Sequence, residues 1–390
     1  MSTKRVSVIV IGGSHAGLAI SHKLLRQSPR VSVILMNPSD EYFFNIAAPR
    51  FLAKPGSLLP SKYLYSIPEA FREYPSSSFS FVKGIATKID YSSKSVLVAT
   101  SPNSSEDTIA SFLFDYLVIA AGSTTPATLG QTGVKLPFKA TPFEDTRKEI
   151  EEAQQLLKAA RRIVIGGAGP LGVELAGELA EAEGSKEITL VSQTSSILEG
   201  APEPVQKSAL SILQRKDVNV LKNVRVDSAD YESDTQTWKV KLSCGRTIVA
   251  DAYIATTGVI PNNQFIPRSF LNPQGWVNVD EQLRVVEDGV SRSDTYAVGD
   301  ITCHPDRLLS RVSLQGETVA SNIAANIARE TRITTYFAEA QKKMMVVPVG
   351  QSTGTGHLGG WTLFGCIVWF FKGKDFLVYE APKFLRGQMK

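Results

Sequence analysis

Two glycine-rich turns, 155 residues apart, constrain this chain more than anything else in it. The first follows Val8-Ile9-Val10-Ile11 and reads Gly12-Gly13-Ser14-His15-Ala16-Gly17. The second follows Ile163-Val164-Ile165 and reads Gly166-Gly167-Ala168-Gly169-Pro170-Leu171-Gly172. Each comes after a β-branched apolar run and before a helix-forming stretch. In that context the glycines allow a tight turn, a close approach of backbone N–H groups to a pyrophosphate, and packing of helix on strand. One such loop predicts one dinucleotide. Two predict a pair, and the simplest chemistry for a pair is hydride transfer from a nicotinamide to a flavin.

The two loops open similar stretches of chain. Each is followed by a helix, a second strand, a meander of short strands, and an apolar strand ending in glycine: 114–122 in the first copy, 252–258 in the second. In each copy the second strand ends 25 residues after a loop glycine, at Asn37 from Gly12 and at Ser192 from Gly167. This is near the spacing of about 20 residues at which a carboxylate usually meets the ribose. The expected fold is α/β with two Rossmann-like dinucleotide-binding domains, the second inserted in the first. Residues 1–135 and 267–335 form one, 136–266 the other, and 336–390 a small C-terminal segment. Within this scheme Phe79–Val82 and Ser95–Ala99 read as a meander, 123–137 as a linker, and 143–159, 170–182 and 313–329 as helices.

Gly167, Gly169 and Gly172 match the dinucleotide fingerprint fully, and Pro170 and Leu171 open the helix whose N-terminus would receive the phosphates. In the first loop Gly12, Gly13, Ala16 and Gly17 keep the turn, Ser14 replaces the middle glycine with a hydroxyl, and His15 either touches a phosphate or covers the loop. The carboxylate expected at the ribose is Asn37 in the first copy and Ser192-Gln193-Thr194 in the second. No arginine adjoins the latter, so NADH and NADPH both stay open. Asp300, after Gly299 at the end of a strand, is placed to accept hydrogen bonds from a ribityl chain. Ala121, Gly122 and Gly258 close strands beside the two loops. Glu174 lies just inside the second-loop helix, beside the nicotinamide path, and Glu178, one turn on, reads as a helix-face charge.

Composition excludes other classes. Hydrophobic residues at 43% and charged residues at 21% describe a folded globular chain. No run approaches the roughly 20 apolar residues of a membrane span. Cys244, Cys303 and Cys366 form no close pair, which argues against disulfide-reductase chemistry, and they have no metal-ligand spacing. The first residues carry no secretory signal, so the expectation is a cytoplasmic protein, peripheral to a membrane at most. Residues 336–390 hold seven Lys/Arg against three Asp/Glu and so carry the whole net charge of +4. Their aromatic run through Trp361, Phe364, Trp369, Phe370 and Phe371 suits a membrane surface, a wall for a flat apolar acceptor, or a homodimer face. His357, Trp361 and Phe364 are the acceptor-site candidates. The small charge excess does not favour nucleic acid.

Taken together, these residues resemble the pyridine-nucleotide flavoprotein oxidoreductases of the apoptosis-inducing-factor-like type. The nearest likeness is to their ferroptosis-suppressor branch, with type II NADH dehydrogenases more distant. Its more specific parts are Asn45–Arg50, Gly172–Glu178, Tyr296–Asp300 and Lys372–Leu377. The resemblance implies FAD in the first domain, NADH or NADPH in the second, and a quinone as oxidant near the C-terminal segment. It also implies Glu174 beside the nicotinamide, Asp300 on the flavin ribityl chain, and Arg50 among the cofactor-binding residues. The chain departs from the family at Ser14 and Asn37, and carries Ser2 where lipid-anchored members have a myristoylated glycine. Two other readings stand beside the quinone one: a flavin reductase or oxidase for a particular small molecule of a biosynthetic pathway, and a redox-sensing or death-signalling flavoprotein with slow turnover.

Overall fold

The computed structural model describes residues 5–100, 109–141, 145–304, 307–337 and 344–388. The apolar run before the first glycine loop forms the strand Val6–Ile11, which pairs in parallel with Val31–Asn37 on one side and Tyr116–Ile119 on the other. The sheet extends to six strands, in the order Arg284–Glu287, Val290–Ala297, Tyr116–Ile119, Val6–Ile11, Val31–Asn37 and Phe79–Lys83. Only the hairpin 284–297 introduces an antiparallel pair. Val8, Ile9 and Val10 are fully buried, as strands covered on both faces must be. The helices His15–Gln27 and Leu309–Ala328 pack together. The latter starts four residues earlier than its sequence pattern indicated.

The second sheet repeats this plan with four parallel strands, ordered Asn219–Leu221, Glu187–Val191, Arg162–Gly166 and Ala252–Ala255. Its loop leads into the helix Pro170–Ala180. Each sheet is accompanied by a three-stranded antiparallel meander, at 85–113 and at 226–250.

Two expectations change. Phe79–Lys83 belongs to the parallel sheet, beside Val31–Asn37, and the meander begins only at Ile85. An alternating edge strand and a meander strand have the same period of two, so pattern alone cannot separate them. The stretch read as a linker, 123–137, is ordered. Ser123–Thr124 pairs antiparallel with Ile260–Pro261, and Pro126–Leu129 is a short helix capped by the Thr125 hydroxyl and ended by Gly130 in the left-handed region. The chain thus leaves the first sheet and returns to it through a two-stranded ribbon. The helix predicted from 143 runs from Thr146 to Ala159 behind an Asp145 cap. Residues 142–144 lie outside the described residues.

The C-terminal segment forms a three-stranded sheet, Met344–Pro348, Gly354–Leu358 and Trp361–Leu363, and then short helices ending at Ala381–Leu385. That last helix packs on the first-loop helix. His22 Nε2 lies 3.1 Å from the Leu385 carbonyl and therefore donates to it, which leaves Nδ1 to accept from the Tyr74 hydroxyl at 3.1 Å. Arg26 donates to the carbonyls of Arg386 at 2.7 Å and Gly387 at 3.2 Å.

Candidate functional site

Both glycine loops adopt the same strained geometry. Gly12 has φ of +109° and Gly167 of +112°, values an L side chain rarely adopts. A Cβ on Gly17 would lie 1.7 Å from the Gly12 carbonyl oxygen, and one on Gly172 would lie 2.0 Å from that of Gly167. These close approaches let each helix begin directly at its strand's carboxyl end, with its N-terminal N–H groups open to a phosphate. At the middle fingerprint position Gly169 faces open space, as a pyrophosphate cradle requires. Pro170 and Leu171 occupy the first helical turn.

At the first loop, Ser14 occupies the N-cap position without a side-chain capping bond, and its hydroxyl lies 3.0 Å from His15 Nδ1. The His15 ring packs against Tyr42, Phe44 and Phe384, so the last helix helps to close the loop. Burial, reinforced by the Lys139 charge and opposed by Asp300, drives the His15 pKa down to about 3 and keeps the imidazole neutral. Its Nε2 is buried with no hydrogen-bond partner. Such an orphaned group in the loop fits a site that receives a polar ligand.

Asn37 is held at the first loop. Its Oδ1 accepts from Gly13 N–H at 2.8 Å and its Nδ2 donates to the Ser39 carbonyl at 2.6 Å. The amide therefore fastens the loop to the second strand. Asp300 accepts from the Ser123 hydroxyl at 3.0 Å and from Lys139 Nζ at 3.2 Å. Burial raises its pKa, and the Lys139 charge with these bonds more than reverses that, so its carboxyl is held below the usual range. Gly299 donates to Gln315 Oε1 at 2.6 Å, fixing the turn that presents Asp300. Asn262 holds the Ala121 carbonyl through Nδ2 at 2.8 Å and the Gly122 carbonyl through its N–H at 3.2 Å. Gly258, at φ of +115°, borders open space.

At the second loop, Glu174 is buried, with Lys372 Nζ 2.6 Å from its Oε1. Desolvation raises its pKa and Lys372 partly counters this. One turn on, Glu178 is fully buried, a correction to its reading as a helix-face charge. It is gripped by Arg50 through Nε at 2.7 Å and Nη2 at 2.8 Å, with Lys54 Nζ at 3.0 Å. Arg50 also donates to the carbonyls of Gly373 at 2.7 Å and Lys374 at 3.2 Å. The Arg50 guanidinium is thus engaged by protein groups on several sides. It ties the short helix Ala48–Ala53 to the second-loop helix and to the C-terminal segment. The second ribose position curls into a turn in which the Ser192 and Thr194 hydroxyls both donate to the Ser196 carbonyl, at 2.8 and 2.9 Å. Gln193 stays exposed.

The three acceptor candidates differ in exposure. His357 is 7% exposed, with Nδ1 3.0 Å from the Gly359 carbonyl, whereas Trp361 is 83% and Phe364 75% exposed. Sequence reasoning missed Lys139, Ser123 and Lys372 as partners of the key carboxylates. Nothing in the sequence marks them, because each is brought in from a distant segment.

This pair of parallel sheets, each delivering a glycine loop, defines a dinucleotide-dependent oxidoreductase. The chain belongs to the pyridine nucleotide-disulphide oxidoreductase family, whose model matches residues 6–347. FAD and NAD(P)H are the cofactors of this class. The chain is 34% identical to oxidoreductase ptaL of Pestalotiopsis fici, over 98% of this chain and 99% of the relative. It is 24% identical to ferroptosis suppressor protein 1 of Homo sapiens, over 97% of this chain and 95% of the relative. Among solved structures, the sulfide:quinone oxidoreductase of Aquifex aeolicus superposes with a TM-score of 0.74 at 16% identity, covering 98% of this chain and 92% of the other. Among the described residues no group of His, Cys, Asp and Glu could hold a metal, and no helix is long and apolar enough to cross a membrane.

Proposed function

We propose that this protein takes hydride from NAD(P)H at the second loop, with FAD at the first, and reduces a quinone by two electrons. Bound FAD would supply the redox chemistry, for an overall reaction in which NAD(P)H, a proton and a quinone give NAD(P)+ and a hydroquinone. In this reading the FAD unit is 1–135 with 267–335, and the NAD(P)H unit is 136–266. Gly12, Gly13, Ser14, His15, Ala16 and Gly17 line the flavin pyrophosphate, with Asp300 accepting from ribityl hydroxyls and Ala121, Gly122 and Gly299 beside it. Asn37 positions the loop. Gly167, Gly169, Pro170, Leu171 and Gly172 hold the nicotinamide dinucleotide, with Ser192 and Gln193 at its ribose and Gly258 on the opposite rim. Glu174, its charge balanced by Lys372, orients the nicotinamide.

The observation that carries the quinone reading is the reach of the C-terminal segment. Through Lys372 it contacts the second-loop helix at Glu174, while Trp361, Phe364, Phe370 and Phe371 stay exposed on it. Lys374 lies over the rings of Phe370 and Tyr379, so cations border the aromatic surface. Aromatic and lysine side chains together suit the headgroup layer of a membrane, whose acyl interior dissolves lipophilic quinones. Anaerobic rapid mixing tests the reading. Bleaching of the flavin by NADH or NADPH, then recovery on adding a soluble ubiquinone analogue, supports it. Bleaching without recovery moves the acceptor to another small molecule, and absence of flavin after FAD addition overturns the reading.

A further inference from the structure

The second ribose position lacks the carboxylate that usually accepts from a 2′-hydroxyl, and the sequence places no arginine beside it. The structure brings a cation there from another strand. The strand Asn219–Leu221 runs parallel to Glu187–Val191, with Leu221 in register with Val191. The pairing continues past both strand ends. Ser192 N–H donates to the Leu221 carbonyl at 2.8 Å, Asn223 N–H to the Thr194 carbonyl at 3.0 Å, and Val224 N–H to the Ser192 carbonyl at 3.0 Å. Lys222 is thereby fixed alongside the turn 192–196, although 30 residues separate it from Ser192 in the chain.

Val191 and Leu221 pack into the small cluster beneath the second meander. Lys222 follows directly on Leu221, as Ser192 follows on Val191, so the backbone bonds alone set the lysine beside the turn. The Lys222 side chain is exposed and its ammonium has no ion-pair or hydrogen-bond partner among the described residues. Arg225, close by, is already held by Asp227 at 2.8 Å.

The turn itself is built without negative charge. From Ser192 to Leu198 there is no acid, and the first is Glu199. The Ser192 and Thr194 hydroxyls are spent on the Ser196 carbonyl, which leaves Gln193 and Ser195 exposed on the outer side. Leu198 N–H donates to the Ala168 carbonyl at 2.8 Å, tying the turn to the second glycine loop. Amide and hydroxyl donors beside an unpaired ammonium, with no carboxylate to repel, make a site for a phosphate dianion.

We propose that Lys222 and the turn 192–196 bind the 2′-phosphate of NADPH, so that this protein prefers NADPH to NADH. The proposal rests on the second loop being the nicotinamide-dinucleotide site. The test is calorimetric titration of the full chain with 2′,5′-ADP and with 5′-ADP, which separates 2′-phosphate recognition from turnover. The expected result is 2′,5′-ADP binding at least about tenfold more tightly than 5′-ADP. Lys222→Glu should abolish that ratio, and Arg225→Ala should leave it in place. The NADPH-to-NADH ratio of kcat/KM should follow the same pattern. Equal affinity for the two ligands, or the same loss of ratio in both variants, would overturn the proposal and leave the dinucleotide site standing. If neither ligand binds, both fall together.

Discussion

The ammonium of Lys372 lies 2.6 Å from the carboxylate of Glu174, although 198 residues separate them. Glu174 is buried, and burial alone would favour its protonated form. Lys372 counters part of that effect. Lys372→Met is therefore expected to raise the pKa of Glu174 further and to move the pH profile of flavin reduction upward by about 1 unit or more. Glu174→Gln should remove that titration. Stability follows with a definite sign. The folded carboxyl already binds its proton more tightly than the unfolded one, so this group's contribution is fullest below about 4.5 and falls as pH rises through the folded value. Lys372→Met should steepen that fall, measured as Tm against pH.

Arg50 and Glu178 form a bidentate pair with almost no solvent access. Removing Glu178 leaves the buried guanidinium without a carboxylate, and Glu178→Gln should cost about 3–5 kcal/mol in urea unfolding, whereas Arg50→Met, which leaves Lys54 beside Glu178, should cost less. Replacing both by apolar residues should recover much of that loss. Additive losses would show that the two do not act as a pair.

Asp300 depends on Lys139 and Ser123. Asp300→Ala should weaken flavin retention by about tenfold or more, with a smaller effect from Lys139→Ala, since removal of the carboxylate takes away charge-assisted bonds. The flavin-to-protein absorbance ratio after gel filtration measures both. Equal retention in wild type and Asp300→Ala would place the flavin elsewhere.

Serine at Trp361, Phe364, Phe370 and Phe371 should abolish sedimentation with anionic vesicles. These side chains are exposed, so Tm should change little. Vesicle binding that survives the four changes would locate any membrane contact outside this surface.

The parts of the molecule governed by local pattern were legible in the sequence. Gly12, Gly17, Gly167 and Gly172 announce their turns because no other residue fits them. The 25-residue step from Gly167 to Ser192 is a distance along one chain segment. Partners that meet only after folding were not legible. The Arg50–Glu178 pair could not be read, because the two residues are 128 apart in the chain. That the Asn37 amide accepts from Gly13 N–H was not legible either, because the two are 24 residues apart. Phe79–Val82 reads as a meander strand because an edge strand of a parallel sheet alternates in the same way.

The interleaving of the two sheets sets an order of events during synthesis. All four strands of the second sheet lie between residues 162 and 255, so it can close as soon as that stretch leaves the ribosome. The first sheet cannot. Tyr116–Ile119 keeps a bare edge until Val290–Ala297 arrives to cover it. The unit that begins first is completed last, and for about 170 residues of translation, roughly 10–35 s at 5–20 residues per second, it exposes an apolar strand edge. That interval is when a nascent chain of this design most needs protection from aggregation.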